Sequence, residues 1–410
     1  MESYSYLHLG EPEDPDRNVV CRYRVTTDLS MEKAAEAIAA EQSTGTWTGI
    51  STLDRSIFDG LGARITSIDG DVITCEFPAE DFSIETGAVP QILSVIAGNL
   101  FGLGALKAVR LEDVTFPKSI LEQFKGPKFG AEGIRKALKR PEEPLVGTIV
   151  KPKIGLSPEK TAEYVYEAGS GGLTNSKDDE TLVDQSFCPI EDRTIRVAEA
   201  LDRLEDEGRM MMHAVNVSTR SDRIVELAEK VQGWGAREIM IDVITCGYGC
   251  LQALAEDPSI KVPIHVHRTM HGAFTKDPRH GINMLVLSKL VRMVGGDALH
   301  IGTLGVGKMA AGAHDDSNLK ACLGDDVPYK TVMPVCSGGV HPSLVADIIA
   351  RSGMDVQIQA GGGVAGHPGG VRAGAMAMSQ AVHAAYEGIP AAEYAESHPE
   401  LRIALERWPR

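Results

Sequence analysis

The feature that most restricts this chain is a rhythm. Between residues 145 and 359, eight short apolar runs recur, at 145–150, 172–176, 210–217, 238–243, 262–266, 298–301, 332–335 and 356–359. Amphipathic stretches with helical period lie between most of them, clearest over 158–168, 192–204, 221–234, 281–294 and 342–351. Short runs of this kind, joined through helices, make parallel strands, because a helical crossover returns the chain to the same end of the sheet. Eight such units over roughly 240 residues are what a (β/α)8 TIM barrel needs. A doubly wound open sheet is the alternative that the pattern leaves.

Polar chemistry falls at the C-terminal ends of these runs. In order they end in Lys151-Pro152-Lys153, Lys177 to Glu180, His213 with Asn216, His265, His267 and Arg268 with His271, His300 to Thr303, Ser337-Gly338-Gly339 and Gly361-Gly362-Gly363. Barrel enzymes build their sites at that face. Unrelated surface salt bridges would not recur at one strand end after another.

The second of these groups is the most informative. A lysine beside carboxylates reads first as a salt bridge. If the backbone from Thr174 to Asp179 is extended, Lys177 and Asp179 share a face, and Glu180 can turn to join them where the strand ends. A neutral lysine amine can add carbon dioxide as a carbamate, which converts a cation into an anionic oxygen ligand. With Asp179 and Glu180 it would offer Mg²⁺ the hard oxygen donors that this ion prefers.

The first 126 residues have a different pattern: a strand near 19–27, a helix over 31–40, a hairpin over 63–77 turned at Asp69-Gly70, a helix near 89–99 and a strand over 106–116. This βαββαβ order suggests an α+β domain of the ferredoxin-like kind, with the barrel domain from residue 127 to the end. The Lys/Pro/Gly-rich stretch 123–144 reads as the linker. Between the early elements lies Glu41-Gln42-Ser43-Thr44-Gly45-Thr46-Trp47, a polar loop whose tryptophan suits a binding role.

Composition excludes some functions. With 41 Lys+Arg against 57 Asp+Glu, the net charge of −16 argues against nucleic acid or an anionic membrane as main partner. No apolar run reaches the ~18 residues of a membrane helix, and the opening residues lack a signal-peptide pattern, so a cytoplasmic location is expected. The seven cysteines are scattered, and only Cys246 and Cys250 are close, which favours free thiols over a zinc site.

These residues resemble a known family. The stretch GGLTNSKDDE, with GTIVKPKIGLS around Lys151 and Lys153, HVHRTMH, LHIGT, GVGK, SGG, QAGGG and, earlier, EQSTGTWT and AGNLFG, is similar to the large subunit of ribulose-1,5-bisphosphate carboxylase/oxygenase (RuBisCO), in its archaeal form III type. The resemblance implies carboxylation of ribulose 1,5-bisphosphate, with competing oxygenation, through a Mg²⁺-stabilised enediolate. It implies Mg²⁺ held by carbamylated Lys177, Asp179 and Glu180. Lys151 and Lys177 would be acid/base groups, His267 would position the hydrated intermediate, and Lys308 would close over the new carboxylate. Glu41 would pair with Lys308, and Asn99 would touch the metal-bound oxygens.

The same resemblance places one substrate phosphate on Arg268, His300 and Ser337. The other falls to backbone at Gly361 and Gly362 with Gly338 and Gly339, and Lys153, Thr46 and Trp47 complete the substrate contacts. Partners would be ribulose bisphosphate, CO2 and O2, in a homodimer with shared sites, with larger rings of dimers also open and no small subunit. The loop 302–310 is one residue longer than the common form and carries Ala310 where glutamate is usual. Ile149 stands where many relatives have threonine, and the chain lacks the long tail beyond Trp408 of plant forms. Two rivals are RuBisCO-like enolases or isomerases acting on other sugar phosphates, and a non-catalytic sugar-phosphate-binding scaffold. His213 and His280 are open between core and supporting positions.

Overall fold

The computed structural model describes residues 4–46, 48–306 and 315–409. In chain order the strands are β1 Asn18–Thr26, β2 Arg64–Asp69, β3 Val72–Pro78, β4 Ala108–Thr115, β5 Leu145–Ile149, β6 Asn175–Lys177, β7 Met212–Asn216, β8 Glu238–Asp242, β9 Ile264–His267, β10 Gly281–Ile282, β11 Ala298–Gly302, β12 Met333–Ser337 and β13 Gln357–Gln359. The chain folds into two compact units, Met1–Lys125 with Met270–Met293, and Gly126–Thr269 with Val294–Arg410.

In the first unit the sheet runs β10-β4-β1-β3-β2, antiparallel except for the parallel pair β10 and β4. The β2–β3 hairpin forms as expected, but its turn lies one residue later than Asp69-Gly70: Asp69 still pairs with Val72, and the chain turns at Gly70-Asp71, with Gly70 at φ 59°. The helix Met31–Gln42 starts on Ser30, whose side chain accepts from the amide of Lys33. Another expectation is corrected here. The stretch 281–294 does not begin as a helix: Gly281-Ile282 pair with Arg110 and Leu111 of β4, and the helix starts only at Met284. Gly281 sits at φ 114°, where an added Cβ would meet the carbonyl of Phe274 at 2.1 Å, so no other residue turns the chain there. The short helix Arg55–Leu61, capped by Asp54, carries no apolar period long enough to show in the sequence.

The second unit is a closed eight-stranded parallel barrel, β5-β6-β7-β8-β9-β11-β12-β13, with β13 returning to pair with β5. All eight runs form strands, and closure excludes the open sheet. The stretch 123–144 is more than a linker, because it contains the helix Gly130–Leu138. Ile134 and Leu138 of this helix pack in one buried cluster with Leu145, Met212, Ala298 and Met333, the first residues of β5, β7, β11 and β12. The helix therefore floors the barrel at its N-terminal mouth, each large apolar side chain contributing about 1.5–3 kcal/mol. Asp297 holds this end together: one carboxylate oxygen accepts from the amides of Phe129 and Gly130 at 2.7 and 2.8 Å, the other from Ile264 at 2.9 Å. With that mouth closed, chemistry is left to the other.

Candidate active site

At the C-terminal mouth, β6 ends on Lys177, whose side chain is only 1% exposed. Its Nζ donates to the backbone oxygen of Asp178 at 2.8 Å and reaches Glu180 Oε2 at 3.4 Å. Lys151, just beyond β5, donates to Asp179 Oδ2 at 2.7 Å, and Lys153 stands 3.8 Å from Glu180 Oε1. His267, ending β9, lies 3.8 Å from Glu180 through Nε2 and 3.1 Å from Asp242 through Nδ1. Three carboxylates, three lysine amines and an imidazole thus gather at this mouth.

Burial sets the protonation tendencies. It pushes the Lys177 amine below the ordinary lysine range, although Glu180, Asp179 and Asp242 pull the other way. For Glu180 burial acts upward, but Lys177 and His267 outweigh it and hold the carboxyl down to about 2. His267 is lowered first by burial and then by Lys177. Among the described residues, no group of three or more His, Cys, Asp or Glu is placed to hold a metal. Asp179 and Glu180 alone make an incomplete oxygen face, and a CO2 adduct on the buried amine between them would complete it.

The next strands carry a second cluster. Ser337, at the end of β12, shares a 2.6 Å hydrogen bond with Nδ1 of His300 on β11. Half-buried Arg268 follows β9; burial lowers its guanidinium to about 10 against the pull of Asp315. Gly338 and Gly339 both adopt positive φ, 114° and 76°, so the backbone after Ser337 folds back in a way side chains resist. Gly361 packs against Lys151, whose Cε would lie 3.0 Å from an added Cβ, and the four-residue helix Gly362–Ala365 begins on the next glycine.

Comparison with known proteins follows from this geometry. The family described as "Ribulose bisphosphate carboxylase large chain, catalytic domain" matches residues 130–408, and the corresponding N-terminal domain matches residues 9–120. The chain belongs to the ribulose bisphosphate carboxylase (RuBisCO) large-chain family. It is 39% identical to a ribulose bisphosphate carboxylase of Methanosarcina mazei, over 98% of each chain. It is 41% identical to one of Methanocaldococcus jannaschii, over 92% of this chain and 94% of the relative. Among solved structures, the octameric Rubisco of Pyrococcus horikoshii in complex with a sulfate ion superposes with a TM-score of 0.92 at 38% identity, covering 98% of this chain and 96% of that one. The dimeric archaeal Rubisco of Hyperthermus butylicus does so at 0.89 and 38%, covering 98% of both. The likeness therefore spans both units.

Within this RuBisCO chain, Lys151, Lys153, Lys177, Asp179, Glu180 and His267 converge, and His300 meets Ser337. Glu41, in the last turn of Met31–Gln42, half-buried Thr46 and exposed Asn99 lie in the first unit. Trp47 and Lys308 lie outside the described residues, as does Ala310. His213 proves to be a support: it is buried, with Nδ1 at 2.8 Å from Ser176 Oγ and Nε2 at 3.2 Å from Asp178. His280 accepts from the amide of Val109 at 3.4 Å and meets the ring of Phe101 edge-on. The cysteines are all free.

Three residues escaped the sequence reading. Asp242 ends β8, the one strand to which no chemistry had been attached, and an aspartate closing an apolar run was the available signal. Asp178, the first residue after β6, is turned into the protein and fully buried. Its Oδ2 accepts from Arg193 Nε and Nη2 at 3.2 and 3.1 Å and from the Asn216 amide at 3.0 Å. Arg193, fully buried, also donates to the carbonyls of Cys188 and Val183 at 2.8 and 2.7 Å. An arginine in the first turns of an amphipathic helix gave no hint of this.

Proposed function

We propose that this chain carboxylates ribulose 1,5-bisphosphate to 3-phosphoglycerate, with O2 as competing substrate, at the C-terminal mouth of its barrel. The observation that carries the reading is the buried Lys177 amine between Asp179 and Glu180, in a chain that belongs to the RuBisCO family along nearly all its length. Activation consists of CO2 adding to the neutral Lys177 amine, a form favoured by burial. The carbamate, Asp179 and Glu180 would then hold Mg²⁺. Bound there, the ion supplies Lewis acidity to the substrate's oxygens and makes the adjacent C–H acidic.

The protein's own groups do the rest. Carbamylated Lys177 takes the proton from carbon, and Lys151, next to Asp179, returns one to the last carbanion. His267, oriented by Asp242, positions the hydrated intermediate. Arg268, His300 and Ser337 hold one phosphate by charge and hydrogen bonds, and backbone at Gly361, Gly362, Gly338 and Gly339 holds the other with Lys153. Lys308 stabilises the new carboxylate. Glu41, Thr46, Trp47 and Asn99 serve the barrel of a second copy, so the active form is a homodimer or an assembly of dimers, without a small subunit. Among the described residues no helix is long and apolar enough to cross a membrane.

The test is direct. Protein preincubated with bicarbonate and Mg²⁺ should fix labelled CO2 onto ribulose bisphosphate as 3-phosphoglycerate. No incorporation, together with enolisation of a different sugar phosphate, would replace this reading by that of a RuBisCO-like enolase. Full activity in a monomer would refute the shared site.

A further inference from the structure

Inside the barrel, behind Ser337 and His300, runs a row of buried polar groups that is hydrogen-bonded except at one gap, between Glu238 and His265. Gln359 donates to Asn175 Oδ1 at 2.6 Å, and Asn175 donates to Glu238 Oε2 at 2.5 Å. Glu238 Oε1 and His265 Nδ1 face each other at 3.4 Å, and neither has a hydrogen-bond partner. His265 Nε2 meets His300 Nε2 at 2.8 Å, and His300 Nδ1 meets Ser337 Oγ at 2.6 Å. Asn175, Glu238, His265 and Gln359 are 0% exposed and His300 2%, whereas Ser337 is half-buried at the open end.

Each hydrogen-bonded junction from His265 to Ser337 admits one proton, so its direction is decided by the tautomer of His265. The Asn175 amide occupies Oε2 of Glu238, which leaves the charge on Oε1 at 3.4 Å from His265 Nδ1, and that charge favours a proton on Nδ1 although the two atoms do not hydrogen-bond. His265 must then accept at Nε2, where His300 donates. His300 is left with an unprotonated Nδ1, and the Ser337 hydroxyl donates to it. In this state Ser337 offers only lone pairs outward, the wrong face for a phosphate. One added proton on His300 Nδ1 reverses the last link: the ring donates to Ser337 Oγ, and the hydroxyl turns outward as a donor.

We infer that Glu238 and His265 are positioning residues that make anion binding at Ser337 conditional on uptake of one proton by His300. This rests on the reading of Ser337 and His300 as a phosphate site. The proton comes from solvent, and the imidazolium is balanced by the anion on one side and, through His265, by the Glu238 carboxylate on the other. In the free protein burial, then the neighbouring His267, His265, Lys177 and Arg268, hold His300 well below the ordinary histidine range, so the proton arrives with the anion. Asp297 is the other charge near the buried end, close to Glu238.

The experiment uses sulfate, a dianion that does not titrate near neutrality, on the full chain without Mg²⁺ or added CO2. Calorimetry in buffers of different ionisation enthalpy should show uptake of about one proton per sulfate, and affinity falling about tenfold per pH unit above neutrality. Glu238→Gln should bind sulfate with no uptake and no such slope. Its amide oxygen still receives Asn175, while its N–H₂ donates to His265 Nδ1 and turns the whole row outward without an added proton. Absence of uptake in the wild type, or equal uptake in Glu238→Gln, overturns the inference. Ser337→Ala separates the two readings: sulfate binding unchanged by it refutes the phosphate site itself, whereas weakened binding without wild-type uptake refutes only the proton coupling. A measurement on the unsubstituted, ¹⁵N-histidine-labelled protein guards against misfolding of the variants. His300 Nδ1 should change from unprotonated to protonated on saturation with sulfate, and an unchanged resonance overturns the inference.

Discussion

Replacing Arg193 by methionine tests the claim that the Asp179–Glu180 edge is held from behind. The side chain is 0% exposed, as is that of its partner Asp178. It makes two bonds to Asp178 Oδ2 and one each to the carbonyls of Cys188 and Val183. Methionine fills much of the volume but leaves a buried carboxylate with only the Asn216 amide and His213 as donors. Breaking one side of a buried pair costs about 3–5 kcal/mol. At about 2–4 °C per kcal/mol for a unit of this size, the melting temperature should fall by roughly 6–20 °C.

The pH dependence carries a sign. In the wild type burial acts to raise the Asp178 carboxyl, but Arg193 and His213 outweigh it and hold it well below the usual range. A depressed carboxyl contributes stability that is present above its unfolded value near 4 and lost as pH falls through the folded value. The variant loses that contribution, so the gap between wild type and variant should hold from neutrality down to about pH 4 and narrow below it. Activity should fall further than stability explains, about 10²-fold at a temperature where the variant is folded, because Asp178 also offers its carbonyl to Lys177 Nζ and begins the Asp179–Glu180 segment. Urea melts across pH, with a labelled-CO2 assay, read both. A loss under 1 kcal/mol with full activity would refute the reasoning.

Other consequences are simpler. Asp297→Asn places an amide N–H₂ against a backbone donor that Asp297 now satisfies, and should cost about 1–3 kcal/mol by urea denaturation. Asp242→Asn removes the acceptor charge at His267 Nδ1 and should lower kcat by ~10²-fold with little change in KM. Lys177→Met should abolish carboxylation and give no carbamate resonance with ¹³C-labelled CO2, where the unsubstituted protein is expected to show one.

Much of the site was legible because barrel geometry turns order into place. Once eight parallel strands are granted, every strand end faces the same mouth, so Lys151, Lys177, His267, His300, Ser337 and Gly361 could be gathered from their sequence positions. Asp242 could have been added by the same rule. Arg193 could not, since nothing in a helical heptad tells which arginine turns inward to a buried aspartate. Nor could the entry of Gly281-Ile282 into the first unit's sheet, because a two-residue strand has no period.

The sequence by itself determined the barrel, the α+β first unit and the family, since alternation of short apolar runs and helices is set locally by side-chain type. Only the tertiary structure decided which polar groups meet. It put Glu238 against His265, Arg193 under Asp178 and the helix Gly130–Leu138 under the barrel floor. Those pairings depend on strand register and helix rotation, which many residues set together and no single stretch encodes.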